Sequence, residues 1–557
     1  CLVLMALIMR SLAASLASLM VLCLSIVTAM GLAGWLGIPL SPVAINAPNI
    51  ILIVAICDCV HLLTGYLHSV RQGTDRREAM VNSLKSNMRA LWITSVTTVV
   101  GFLSLNSSEA HPFRDLGNIT ALGIAAALFF TLFLLPSVMA MLKTSGLRAS
   151  GASGRPGRMQ HALEGLAGGV ARYPLRFALG SLLSALLIGT GALKNQLNDE
   201  FVKYFDTSVE FRQDTDFITD HLTGIYYIDY AISSTKDGGV NDPDYLRTVE
   251  AFTTWLRAQH EVLHVNSITD VYERLNRNMH GDDPAYSRMP ESRELAAQYL
   301  LMYEMSLPYG LDLRDRIDVA KQESRVTATL RSLSSTEVLA FEERVQQWLG
   351  AHNQHIRFSD GTGLTIMFAH IGMRSITSML SGTAIALITI SILLMLLFRS
   401  FKYGLLSLLP NILPAICAFG VWGLLVGQVG MALSVVAAMT LGIVVDDTVH
   451  LMSRYLHARR QLGLDATSAV RHAIAGVGMA IVTTSVVLAS GFAVLGLSSF
   501  EINAGMGQLT SIAIVLALLL DLTLLPALLV LVDHSPQRAS ALTDVPGADT
   551  KSTVPVA

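Results

Sequence analysis

The sequence predicts a polytopic α-helical membrane protein made of two repeats of parallel topology, with one α+β domain inserted outside the membrane. Three observations predict it. Of 557 residues, 52% are hydrophobic and only 15% are charged, against about 25% charged in soluble globular chains; the mean hydropathy is +0.51. Apolar runs recur at the length of roughly 20 residues that crosses a bilayer as a helix. The runs also match one another. Arg10-Ser11 recurs as Arg399-Ser400, Asp58 and His61 as Asp447 and His450, and Tyr66 and His68 as Tyr455 and His457, all 389 residues apart. After one inserted residue, Ser95 matches Ser485, Gly101-Phe102 matches Gly491-Phe492, and Leu134-Leu135-Pro136 matches Leu524-Leu525-Pro526.

In chain order, a truncated span covers Cys1–Met9. Full spans follow near 13–37, 47–68, 90–106, 118–142, 174–193, 374–398, 403–428, 433–456, 476–497 and 507–532. Residues 1–142 thus form a first membrane repeat of five spans, the first cut short. Residues 143–173 form a linker whose Gly/Ser/Arg-rich part, Ser145–Arg158, reads as flexible. The span 174–193 opens the second repeat, 194–372 form the inserted domain, 373–533 carry five more spans, and 534–557 form a polar tail that reads as disordered. The symmetry of the repeats predicts a further span and a further soluble domain upstream of Cys1. Arg71, Arg76, Arg77, Lys85 and Arg89, then Lys143 to Arg172, then Arg399 and Lys402, then Arg454 to Arg471 fall on one face of the membrane. Basic loops mark that face as cytoplasmic, which places 194–372 outside.

Within that domain, Gly224–Ser233 is β-branched and aromatic and reads as a strand. Asp242-Pro243 opens a helix to about Gln259. Ser324–Ser332 reads as a second strand, Ser334 and Glu337 as a capping box opening a helix to about His352, and Ile356–Asp360 as a closing strand. With a helical insertion near 291–306, this strand-helix-strand pattern suggests a ferredoxin-like domain.

The functional signal is charge where hydrocarbon is expected. Asp58 lies mid-span, and Asp446 and Asp447 lie similarly deep in "GIVVDDTVHL". An ionised Asp at a helix centre costs about 2.5–3.5 kcal/mol on insertion scales, so such residues are retained for a reason. His61 follows Asp58 by three residues and His450 follows Asp447 by three, a spacing that shares one helical face. Acid and imidazole together can pass a proton, and the recurrence in both repeats makes Asp58, His61, Asp446, Asp447 and His450 a candidate proton relay. A structural hydrogen bond between helices is the competing reading. Ser95, Thr484 and Ser485 on the following spans are candidates to support the relay, as is the buried Asp521, whose repeat counterpart is Thr131.

All five cysteines fall in apolar segments, so no disulfide framework or spaced metal motif is expected. No phosphate loop, nucleophile elbow or zinc motif points to an enzyme, and a net charge of −3 gives no case for nucleic acid.

"GIVVDDTVHLMSRY", "TTSVVLASGFAVLGLS" and "LTLLPALL", with "FRQDTDFITDHLTG" at the start of the outer domain, resemble the resistance-nodulation-division superfamily. More narrowly they resemble its exporter branch related to the mycobacterial large-membrane-protein lipid transporters. The resemblance implies a twelve-helix exporter of the bacterial inner membrane, driven by protons and needing no cofactor. Its relay acids would lie in the fourth span (Asp58) and the tenth (Asp446, Asp447). Multidrug pumps of the superfamily pair two fourth-span acids with a tenth-span Lys; here the fourth span has one Asp, the tenth has two, and no Lys is present. The implied substrate is a hydrophobic small molecule or lipid, with membrane lipids, a periplasmic adaptor or lipid carrier, and a second copy of the chain as candidate partners. A sterol-sensing, Patched-like receptor is the alternative.

Overall fold

The computed structural model describes Ala6, residues 11–141 and residues 158–533. The expected span at Cys1–Met9, the 142–157 part of the linker and the tail 534–557 lie outside the described residues. Among the described residues, ten helices are long and apolar enough to cross a membrane.

The first block consists of α1 (Leu12–Trp35), α2 (Ala47–Arg71), α3 (Arg76–Leu103) and α4 (His111–Met141). Several helices run beyond the apolar windows because polar caps start them. Asp75 accepts the Arg77 N–H at 3.1 Å, so α3 begins fourteen residues before the apolar run expected at 90. Gly73, at φ 94°, makes the turn before this cap, a left-handed conformation that favours glycine.

The linker does not stay irregular. Its later half, Arg158–Arg172, is helix α5, with Leu163, Ala167 and Val170 buried against the second block. The sequence reading missed it because the Gly/Ser/Arg bias stops at Arg158, leaving an apolar residue on one face every three or four positions. Helix α6 (Pro174–Gly189) follows.

The insert between the helical halves contains α7 (Glu210–His221), β2 (Tyr226–Ser234), α8 (Pro243–Arg257), β3 (Val262–Asn266), α9 (Ile268–Met279), α10 (Arg293–Ser306), β4 (Glu323–Leu330), α11 (Ser335–Ala351) and β5 (Ile356–Phe358). Its four strands form an antiparallel sheet in the order β3-β4-β2-β5. Strand β3 was not foreseen: Val262 and Val265 are its buried positions, and its other residues are polar or exposed. Helices α8 and α11 cover the sheet through Phe252, Trp255 and Trp348. The Asp242 cap and the Ser334–Glu337 capping box form as expected.

The second block follows as α12 (Leu364–Phe398), α13 (Phe401–Leu425), α14 (Met431–Arg460), α15 (Ala466–Leu495) and α16 (Glu501–Val532). Helix α12 has 35 residues, about 52 Å at 1.5 Å per residue, against a hydrocarbon core of about 30 Å. The excess lies in the insert, where Ile366 and Ala369 join the domain core. A second tie is the parallel pair of β1 (Gln196–Leu197) with β6 (Gln428–Val429), on either side of the insert in sequence. The turn before α15 repeats the one before α3: Gly463 has φ 66°, and Asp465 accepts the N–H groups of Thr467 and Ser468 at 3.1 and 3.3 Å.

Helices α2 and α14 sit at the centre. The apolar window of α14 is 89% buried and that of α2 78%, against 17% for α6. These two carry Asp58, His61, Asp446, Asp447 and His450. The blocks meet where α3 crosses α14: a Cβ built on Gly101 would fall 2.8 Å from Gly442 Cα, and Thr98 Oγ1 donates to the Gly442 carbonyl at 2.9 Å.

Candidate functional site

Asp58 and Asp447 occupy corresponding positions and are held in the same way. Asp58 Oδ2 accepts from Ser95 Oγ at 3.2 Å, across from α2 to α3. Asp447 accepts from Ser485 Oγ at 2.7 Å and from Thr484 Oγ1 at 3.3 Å, across from α14 to α15. Each acid therefore faces the hydroxyl-bearing helix that follows it, and all of these side chains are buried. A hydroxyl suits the role because it can donate to a carboxylate or accept from a carboxylic acid by rotating.

The histidines do not pair with these acids, as the three-residue spacing suggested. Both turn to Asp446. His450 Nε2 lies 3.4 Å from Asp446 Oδ1, one turn along α14, and His61 Nε2 lies 3.8 Å from Asp446 Oδ2, across the contact between blocks. The two rings stack with centroids 3.7 Å apart and planes 3° from parallel. Sequence spacing favoured i,i+3 pairs, but an i,i+4 acid is equally on the face, and Asp446 is the one aimed at the partner block. His61 Nε2, His450 Nε2 and Asp446 Oδ1 are buried and have no hydrogen-bond partner. Polar atoms in that state are costly and rare in native interiors.

His61, Asp446 and His450 bring donor atoms within 4.8 Å of one another, a donor set of metal-binding type. The parallel rings argue against one ion between them. An ion in the plane of one ring lies more than about 3 Å out of the plane of the other, so the two lone pairs do not converge at the bond length of about 2 Å that imidazole requires.

A cavity of about 20 Å³ separates Asp58 from Asp446, lined by Thr94, Ser95 and Thr98 with Ile443 and Leu488. That is room for about one water, amid enough polar groups to hold it. On the far side of Asp447, Thr448 Oγ1 reaches Asp521 Oδ1 at 2.8 Å and Asn411 Oδ1 at 3.0 Å. Its single proton serves one of them at a time. Asp521 thus joins a polar branch of α13, α14 and α16 rather than the central cluster. Asn411 and Thr448 were not singled out in the sequence. Asn411, between Pro410 and Pro414 in an apolar span, is the signal that could have found that branch.

A chain of many membrane helices, with acids and imidazoles sequestered where two helical blocks meet, is a multi-pass membrane protein of transporter type. The MMPL family model matches residues 1–166 and 360–543, more than half of the chain, and the protein belongs to this family of membrane transporters within the resistance-nodulation-division superfamily. The match brackets the α+β insert and covers both blocks. The chain is also similar to a membrane protein of Methanocaldococcus jannaschii, with 33% identity over 149 residues, 27% of this chain and 38% of the relative. The chain thus matches little more than a third of the length of that curated relative.

Proposed function

We propose that the protein exports a hydrophobic or lipidic molecule from the cytoplasmic membrane, driven by protons passing through Asp58, His61, Asp446, Asp447 and His450. The observation that carries this reading is the buried His61–Asp446–His450 cluster, in which His61 Nε2, His450 Nε2 and Asp446 Oδ1 make no hydrogen bond, flanked in each block by an Asp held on hydroxyls. A purely structural hydrogen bond would leave its atoms paired. These atoms are left facing one another, in an arrangement whose polar balance changes with each proton gained or lost.

Two imidazolium charges 3.7 Å apart would repel by about 4–5 kcal/mol at an effective dielectric of 20. The stack therefore takes one charge at a time, and Asp446 is placed to balance it. Water in the neighbouring cavity would connect Asp446 to Asp58, and Asp447 would exchange through Ser485. A proton moving down 100 mV releases about 2.3 kcal/mol, and each pH unit adds about 1.4 kcal/mol. That biases a two-state packing of the blocks by one to two orders of magnitude. The finer architecture belongs to the same proposal: two parallel repeats of a twelve-helix plan, with a ferredoxin-like outer domain through which the substrate leaves toward an adaptor or lipid carrier. Repeats of this kind place coupling sites at their interface.

The test is lipid release from proteoliposomes prepared with lipids of the native membrane, under an imposed pH gradient, to acceptor vesicles. Release that depends on the gradient and stops with a protonophore is expected. Release unaffected by the protonophore would refute proton coupling.

A further inference from the structure

We propose that the groove between α6, α13 and α16 is a binding site for one anionic phospholipid of the cytoplasmic leaflet, whose acyl chain lies in the groove and whose phosphate sits between Arg172 and Arg176. The site is separate from the acid–histidine cluster, and the proposal holds whether or not the chain pumps.

The groove encloses about 410 Å³ and runs along α6 from Arg176 to Ile188. Twelve residues of helix span about 18 Å, close to the roughly 15 Å of one leaflet's hydrocarbon. Its floor is the buried pair Ala185 and Cys417, the thiol donating to the Ala185 carbonyl at 3.5 Å. The hydroxyls on its walls are bonded within the protein. Ser181 Oγ donates to Thr523 Oγ1 at 3.0 Å, Thr523 Oγ1 to the Leu519 carbonyl at 2.6 Å, and Ser184 Oγ to the Gly180 carbonyl at 2.8 Å. The surface offered to a ligand is therefore apolar, which suits a hydrocarbon chain and gives nothing to a polar solute.

The charge sits at one end. Arg172 and Arg176 both lie over the Tyr173 ring, at 5.2 and 4.9 Å from its centroid. Neither has a carboxylate within 4.0 Å among the described residues, whereas exposed arginines of the insert such as Arg247, Arg257 and Arg288 are paired. Two unpaired guanidiniums at the membrane edge of an apolar groove match a phosphate above an acyl chain. They lie on the face marked cytoplasmic by the basic loops, where anionic lipids are enriched. The lipid would also complete the packing of α6, the least enclosed of the candidate spans.

Native mass spectrometry of the detergent-purified chain, titrated separately with phosphatidylglycerol, phosphatidylcholine and palmitate, tests this. One phosphatidylglycerol per chain should be retained in preference to phosphatidylcholine. Arg176→Gln should weaken phosphatidylglycerol by about fivefold, the effect of one basic residue at a membrane surface, and weaken phosphatidylcholine less, because its choline already offsets the phosphate charge. Gly180→Phe should abolish retention. A Cβ at Gly180 meets nothing within 4 Å, so the ring can occupy the groove without displacing protein atoms. Leu519→Trp, at an exposed position on the same wall, provides the obstruction if Gly180→Phe fails to fold. Equal retention of both phospholipids, or undiminished retention in a folded obstructed variant, would overturn the proposal. So would palmitate binding as tightly as phosphatidylglycerol, which would make the ligand a free fatty acid.

Discussion

Gly101→Ala puts a methyl group into the crossing that joins the two blocks. Its Cβ would lie 2.8 Å from Gly442 Cα, 3.2 Å from Gly442 N and 3.4 Å from the Ala438 carbonyl oxygen. Carbon–carbon contact becomes comfortable only at about 3.5 Å, and all three neighbours are backbone, so α3 and α14 must part by about 0.7 Å at this point. The Thr98–Gly442 hydrogen bond, now 2.9 Å, would stretch beyond bonding distance. Overpacking costs about 1–3 kcal/mol and a membrane hydrogen bond about 0.6 kcal/mol. The helix gains about 0.5–1 kcal/mol from losing a glycine. The net expectation is a loss of about 1–3 kcal/mol. Gly476→Ala is the control: its Cβ meets nothing within 4 Å, so only the helix gain of about 0.5–1 kcal/mol remains. The assay is unfolding in mixed micelles followed by tryptophan fluorescence. If Gly101→Ala is as stable as Gly476→Ala, the blocks do not meet at this crossing. The same separation would widen the cavity between Asp58 and Asp446, so lipid release per folded molecule should fall as well.

Thr448→Val keeps the shape of the side chain but removes the donor to Asp521. It should cost about 1–3 kcal/mol, the desolvation of an unsatisfied buried group, and unfolding in the same micelles checks it; an unchanged midpoint would remove the Asn411–Thr448–Asp521 branch from the account. Asp465, held down to about 2 by hydrogen bonds from Ser468 and Thr467, caps α15 at the membrane edge. Its folded value lies below the unfolded value of about 3.9, so its stabilisation is present above that value and is lost as pH falls toward 2. Asp465→Ala should therefore cost about 1 kcal/mol at neutral pH, with the gap to the parent protein closing in acid; a gap independent of pH would contradict the capping role.

The spans were legible because apolar length and the 389-residue repeat are properties of the sequence alone. Their ends were less so. Helices α3 and α15 start at Asp75 and Asp465, whose caps lie ten or more residues before the apolar runs that marked the spans. Strand β3 was hidden because it buries only Val262 and Val265. At the candidate site, Asp58 and Asp447, and Ser95 and Ser485, could be matched across the repeat, and they stand in corresponding contacts; the bond from Thr484 to Asp447 has no counterpart at Asp58. What the sequence could not give was the partner of the histidines. The repeat counterpart of Asp446 is Cys57, so symmetry pointed to Asp58 and Asp447, while the contact between blocks turns both rings to the unmatched acid. That choice is set by helix rotation and the Gly101–Gly442 crossing, which spacing within one helix does not encode.

The central claim is that Asp58 and Asp447 carry the protons that drive export. The most direct test is gradient-driven lipid release from proteoliposomes by the Asp58→Asn, Asp447→Asn double variant, compared with the parent protein at equal amounts of inserted, folded chain. Asn preserves the shape and hydrogen-bonding reach of a protonated acid but cannot exchange its proton. The account predicts normal insertion, an unfolding midpoint close to that of the parent, and release at the level of empty liposomes. Full release that still responds to a protonophore would mean that these carboxylates hold the helices together and that the protons travel elsewhere.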